Sequence, residues 1–209
     1  IMVVLADEAI AQQLIDQSGL SDLWVANKNS PTQTAVSGAA SSIDAFCEYL
    51  GKQDVTAKKL ALSGAFHTPL FNSAAEKMKQ RLARVSFASV DFTRIISNVT
   101  GQPYPEDEKT VKELLVRQIT SPVEFVKAVR NARGDNQTVL VEVGVGRILT
   151  NLSRKMDIDK ENLVVTAEPR TGEATTLEKA IASLGLDGKT VNDTGQTKMQ
   201  QAAPTSVVK

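Results

Sequence analysis

Several common kinds of protein chemistry are closed to this 209-residue chain because the residues they need are scarce. It holds one cysteine, Cys47, so no internal disulfide can form, which fits a reducing compartment and a cytoplasmic location. One thiol and one histidine, His67, cannot assemble the usual zinc sites. Neither sign of charge is in excess: Lys and Arg number 24, as do Asp and Glu, which argues against a nucleic-acid or membrane-surface partner. No apolar stretch approaches membrane-spanning length. The opening Ile1-Met2-Val3-Val4-Leu5-Ala6 is too short for a signal peptide, and the lack of Met at position 1 points to an internal start. Nor is there a Gly-x-Ser-x-Gly string, the strained strand-to-helix elbow that exposes a serine nucleophile. Ser37-Gly38-Ala39-Ala40-Ser41 comes nearest, and it reads as the approach to a helix cap.

What is present is an α/β pattern. Met2–Ala6 reads as a strand, and Asp7 can cap a helix over Glu8–Gln17 that Gly19 ends. Leu23–Asn27 and Thr34–Ser37 read as strands joined through the turn string Asn29-Ser30-Pro31. Ser41-Ser42-Ile43-Asp44 opens a helix that buries Ile43, Phe46, Cys47 and Leu50, and Leu60–Leu62 closes the unit as a strand. The order β-α-β-β-α-β is that of a ferredoxin-like fold. Beyond it, a larger layer is predicted. It has a helix over Phe71–Val85, with Leu70, Ala74, Met78, Leu82 and Val85 as its core face, and strands at Ile95–Val99, Val139–Val143 and Leu163–Thr166. Helices are predicted at Thr110–Gln118, Val123–Arg133, Arg147–Lys155 and Thr176–Leu184. After Asp187 the apolar content falls and the chain reads as a flexible linker.

His67 lies in Leu60-Ala61-Leu62-Ser63-Gly64-Ala65-Phe66-His67-Thr68-Pro69. Gly64 lets the backbone leave the strand, and Thr68-Pro69 looks like a cap and first helical position. An imidazole between a strand's C-terminal end and a helix sits where α/β proteins often keep their chemistry. Position alone leaves two readings open, a hydrogen-bonded structural histidine and a general base.

Four blocks carry a resemblance. Gly64-Ala65-Phe66-His67 resembles the catalytic-histidine motif of the malonyl-CoA:acyl carrier protein transacylase family, in its multidomain polyketide and fatty-acid synthase version. Asn27-Lys28-Asn29-Ser30-Pro31-Thr32-Gln33 with Ala35-Val36-Ser37-Gly38 resembles the family's Asn-x-Asn-x-Pro-x-Gln strand–turn–strand. Val116-Arg117-Gln118-Ile119 running to Pro122-Val123-Glu124-Phe125 resembles its helix-and-turn segment. Val141-Glu142-Val143-Gly144-Val145-Gly146 resembles its Glu-x-Gly-Pro-Gly turn, with Val145 in place of Pro. The Ser-Gly-Ala-Phe-His-Thr form is especially similar to the acyltransferase domain of bacterial polyunsaturated fatty acid synthases.

The resemblance implies the C-terminal portion of such a domain: a ferredoxin-like small subdomain over 1–62 and part of an α/β-hydrolase-like core over 63–170. A terminal helix over 171–186 and the linker over 187–209 follow. It implies an acyl-Ser mechanism moving malonyl from CoA to the phosphopantetheine thiol of an acyl carrier protein. The serine, and the arginine that pairs with the malonyl carboxylate, would lie upstream, so this chain alone should be inactive. Its other expected partners are the upstream half of the domain and neighbouring synthase domains, and no bound cofactor or metal is expected. By resemblance His67 is the base, Gln118 offers a main-chain carbonyl to it, and Asn98 lies near it. Phe66, Asn27 and Asn29 face the acyl pocket, Phe66 excluding a methyl branch. Each also has an ordinary reading: helix end for Gln118, strand-end turn for Asn98, turn chemistry for Asn29 and core for Phe66. A non-catalytic scaffold role remains an alternative. So does a dinucleotide site, since Gly144-Val145-Gly146 with Glu168 outlines such a turn, although Leu149 fills its third small position.

Overall fold

The computed structural model describes residues 1–62, 64–88, 91–134, 138–167, 173–185 and 207–208. These divide into two compact units, Ile1–Ala132 with Val207–Lys209, and Arg133–Ser206.

The first unit opens with β1 (Met2–Val4), α1 (Glu8–Ser18), β2 (Leu23–Ser30), β3 (Gln33–Gly38), α2 (Ala40–Lys52) and β4 (Ala57–Lys59). The Asp7 carboxylate accepts the Ile10 N–H at 2.8 Å and Gly19 closes α1 at φ 65°, as the sequence suggests. β2 and β3 form a hairpin whose turn is Pro31-Thr32, with Ser30 opposite Gln33. The strand order is β2-β3-β1-β4 and every pairing is antiparallel. Met2, Val4, Val25 and Val36 of the sheet meet Leu14 and Ile15 of α1 and Ile43, Phe46 and Leu50 of α2. Phe46, Met2 and Leu50 are wholly buried, and burial of a side chain of this size is worth about 1.5–3 kcal/mol.

Two local expectations need correction here. The closing strand is Ala57–Lys59 and not Leu60–Leu62, because its partner β1 runs out: Met2 pairs with Lys59, and the last bond is Leu60 N–H to Ile1 C=O. Lys58 and Lys59 leave this edge charged, which discourages pairing with other chains. Helix α2 begins earlier than its serines suggest, with Ala39 as N-cap and no side-chain cap, so Ser41 and Ser42 lie within the first turn.

After a 3₁₀ turn at Pro69–Phe71 come α3 (Asn72–Leu82), β5 (Ile95–Ile96), α4 (Glu108–Arg117) and α5 (Phe125–Arg133). α4 buries Val111 and Leu114 beside Tyr104, with Phe87, Phe92 and Ile95 packed against them. The face of α3 expected to be core is exposed: Leu70 is 48%, Met78 36% and Val85 44% accessible. α3 packs on α4 with Leu82 of that stripe beside Lys79 and Ala83, which line a shared cleft with Glu108, Lys112 and Val116, while the buried residue of α3 is Ala75, one position off the stripe. β5 pairs in parallel with β8 (Val207–Val208).

The second unit holds β6 (Leu140–Val145), α6 (Ile148–Ser153), β7 (Leu163–Ala167) and α7 (Glu173–Ser183). β6 and β7 are parallel, with Leu140 opposite Leu163 and Val141 opposite Val164, and α7 packs on β7. Apart from Val207–Val208, the predicted linker lies outside the described residues, as does Glu168. Among the described residues no helix is long and apolar enough to cross a membrane.

Candidate active site

The first unit places His67 in a sharp turn. Gly64 lies under the Phe66 ring, where a Cβ would stand 2.9 Å from two ring carbons, so a side chain at 64 would displace the ring. Phe66 packs against Phe71 with ring centroids 5.0 Å apart and remains 43% exposed. His67 itself has φ 60°, a left-handed conformation that histidine tolerates better than most residues but that still costs about 1–3 kcal/mol. Such a backbone persists only where its surroundings fix it. Here the buried Thr68 hydroxyl donates to Ala65 C=O at 2.7 Å, and Phe71 N–H returns to Thr68 C=O at 3.1 Å. Thr68 thus precedes the turn as its cap position and Pro69 is first in it, although the threonine hydroxyl bonds backward.

The turn presents Nδ1 of His67 to the main-chain oxygen of Gln118, 3.0 Å away. A carbonyl oxygen only accepts, so Nδ1 carries the hydrogen and Nε2 of the neutral ring keeps its lone pair. This is the tautomer a general base needs, obtained from a backbone group in place of a carboxylate. Among the described residues Nε2 has no hydrogen-bond partner. Gln118 is the C-cap of α4, its own N–H bonded to Leu114 C=O.

Around this pair the chain is pinned to the sheet. β2 is an edge strand, and bulges between Val25 and Asn27 and between Lys28 and Ser30 break its register with β3. Its free edge accepts Val123: Val123 N–H donates to Ala26 C=O at 2.8 Å, and Lys28 N–H donates to Val123 C=O at 2.9 Å, with Asn27 opposite Val123. Glu124 N–H then donates to Asn98 C=O at 2.8 Å. The structure therefore brings Phe66, His67 and Gln118 together and ties Asn27 and Asn98 to the same segment. Asn29 stands apart, in the irregular end of β2, and among the described residues no hydrogen bond joins it to His67.

One group goes beyond what the motifs suggest. The Lys28 ammonium lies 2.5 Å from Glu124 Oε1 and 2.7 Å from Glu8 Oε1, with Lys28 and Glu124 each about four-fifths buried. Burial lowers its proton affinity, yet the bonds to Glu124 and Glu8 outweigh this and hold the lysine above its ordinary value. A signal exists, a lysine inside one motif and a glutamate inside another, but the 96 residues between them hide the pairing.

In the second unit, the Gly144-Val145-Gly146 turn has a specific task. Glu142 turns its carboxylate onto the start of α6, accepting Leu149 N–H at 3.0 Å and Thr150 N–H at 2.8 Å. These are donors that a dinucleotide pyrophosphate would require, and the chain's own carboxylate engages them.

The class to which this fold and sequence belong is that of the acyltransferase domains. The sequence matches the family described as "Acyl transferase domain" over residues 2–191, and the chain belongs to that family. It is 31% identical over 179 residues to a polyunsaturated fatty acid synthase polypeptide of Thraustochytrium sp., covering 85% of this chain and 6% of that protein. It is 30% identical over 166 residues to the malonyl CoA-acyl carrier protein transacylase of Bacillus subtilis, covering 78% of this chain. The chain spans about half, 50%, of that relative's length. The crystal structure of a malonyl CoA-acyl carrier protein transacylase from Clostridium perfringens superposes with a TM-score of 0.75 at 26% identity, covering 88% of this chain and 57% of that one.

Proposed function

We propose that this chain supplies the general base of an acyltransferase that moves a malonyl group from CoA to the phosphopantetheine thiol of an acyl carrier protein. The observation that carries the reading is the His67 Nδ1–H bond to Gln118 C=O, which leaves Nε2 ready to accept a proton. A serine from the part of the domain that the relatives have beyond this chain's span would attack the thioester carbonyl. Its hydroxyl proton passes to Nε2, and CoA leaves by taking that proton on sulfur. The carrier's thiol then attacks the acyl-Ser ester. Its proton passes through Nε2 to the serine oxygen, and the histidine is restored.

The remaining assignments follow from this reading. Residues 1–62 serve as a ferredoxin-like small subdomain, for which the antiparallel β2-β3-β1-β4 order is the support. Residues 63–170 serve as the C-terminal part of a hydrolase-like core. Gln118 orients the base, and Asn98 supports it by holding Glu124 through its carbonyl. Asn27 and Asn29 face the acyl group. Phe66, half-exposed beside the base, excludes an α-methyl branch; one methyl is worth about 1–3 kcal/mol, so malonyl should be favoured over methylmalonyl by roughly 10–200-fold.

Intact-mass measurement after incubation with malonyl-CoA tests the proposal. The 209-residue chain should remain unmodified, and a chain extended to include an upstream elbow serine should gain one malonyl group. An adduct on the 209-residue chain, or none on the extended one, would contradict it.

A further inference from the structure

The carbonyl of Gln118 selects the His67 tautomer only while it is held in place; the end of α4 fixes it on one side, and the segment that follows must fix it on the other. The segment from Gln118 to Glu124 leaves α4 through short turn bonds, Ile119 N–H to Val116 C=O and Ser121 N–H to Arg117 C=O, and contains Pro122, which donates nothing. Its far end is fixed by two main-chain bonds to β2, by Glu124 N–H to Asn98 C=O, and by Ala128 N–H to Glu124 C=O at the start of α5. The side chains at that end are what distinguish it. Lys28 projects from the same bulged stretch of β2 that takes Val123, and its ammonium joins Glu124, the next residue of the segment, to Glu8 at the start of α1.

We propose that Lys28, through its pair with Glu124, is a positioning residue for His67: it clamps the end of segment 118–124 to the sheet and so keeps the Gln118 carbonyl on Nδ1. The inference rests on the reading of His67 as the base. Three observations favour a clamp over an incidental surface pair. Lys28 and Glu124 are each about four-fifths buried, so solvent screens their attraction less than it would an exposed pair. Two carboxylates meet at one ammonium, so removing the lysine leaves like charges facing each other as well as a partly buried Glu124 without its counter-ion. The free edge of β2 offers Ala26 C=O and Lys28 N–H to Val123, so backbone and side chain of Lys28 act on adjacent residues of the segment. Lys127, Arg130 and Asp7 line the cavity of about 350 Å³ beside the cluster, and the ion pairs of Lys28 are with the two glutamates.

Because His67 is the only histidine, its ring nitrogens can be read without ambiguity by ¹⁵N spectroscopy of the histidine-labelled 209-residue chain at a pH where the ring is neutral. Wild type should show Nδ1 protonated and Nε2 bare. Lys28→Met and Glu124→Gln should lose this signature and drift to the mixed tautomers of a free imidazole, while Lys28→Arg, which keeps the charge, should retain it. Glu8→Gln should also retain it, because it leaves the Lys28–Glu124 pair intact. Should Lys28→Met fail to fold, the near-isosteric Glu124→Gln decides the matter. A wild-type signature surviving in a folded Lys28→Met or Glu124→Gln chain, or lost equally in Glu8→Gln, would overturn the clamp while leaving the base assignment standing. A wild-type ring with Nδ1 bare would instead overturn the base assignment, and the clamp with it.

Discussion

The N-terminal sheet and the C-terminal unit are both built of strands and helices, yet they bury their apolar residues differently. Residues 1–59 close a core on themselves: two helices cover a four-stranded sheet, and Met2, Phe46 and Leu50 have no accessible surface. Among the described residues the second unit has one sheet, the β6–β7 pair, and while Met156, Ile158, Val164 and Ala180 are buried there, Val143 at 84%, Val145 at 70% and Ile148 at 72% accessibility stand at the tip of its sheet and the start of α6. Similar hydrophobic runs thus carry different weight. A run contributes to stability where neighbouring strands and helices remove it from water, as α7 does for Val164 of β7 and as nothing among the described residues does for Val143 and Val145.

That contrast can be broken or sharpened by mutation. Phe46→Ala should cost about 3–5 kcal/mol, a large share of the roughly 5–15 kcal/mol of an ordinary domain, read as a large fall in the urea midpoint followed by circular dichroism. Asp7→Ala removes the cap of α1 and should cost about 0.5–2 kcal/mol, read as a lowered urea midpoint with unchanged slope. The pH dependence of the first unit should be smaller and confined to the extremes. Lys28 has a folded pKa above its unfolded one, so its contribution is complete below the ordinary lysine range and is lost as pH rises through the raised value. Asp107 behaves oppositely. The Thr110 hydroxyl and then its N–H hold its carboxyl below the ordinary value, so its contribution is present above the unfolded pKa and lost as pH falls through the lowered one. Midpoints measured across pH should fall at both ends, and Lys28→Met should flatten only the alkaline limb. Ile148→Ser, on the exposed tip of the second unit, should stay within about 0.5 kcal/mol of wild type. A large loss there would mean that this surface is covered.

The same contrast explains what is legible in the sequence. Asp7, Gly19 and the apolar faces of α1 and α2 announce their helices because local caps and period agree with the core they build. β4 lies three residues before its expected place, since an edge strand with two exposed lysines is defined by backbone pairing to β1 and not by its side chains. The stripe through Leu70, Met78 and Val85 reads as core because periodicity reports which residues share a face and not what covers it. His67, Phe66 and Gln118 are legible through their motifs. The left-handed backbone of His67 and the Lys28 cluster are not, the first because strain has no sequence signature of its own, the second because it joins residues far apart in the chain.

The proposed function rests on one proton acceptor, His67, and the rate of malonyl transfer in a chain extended to the full domain tests that proposal most directly. His67→Ala should lower that rate by about 10²–10⁴-fold, the usual weight of general-base catalysis, with the unfolding transition unchanged. An undiminished rate in a folded His67→Ala domain would contradict the base assignment and return the histidine to a structural role.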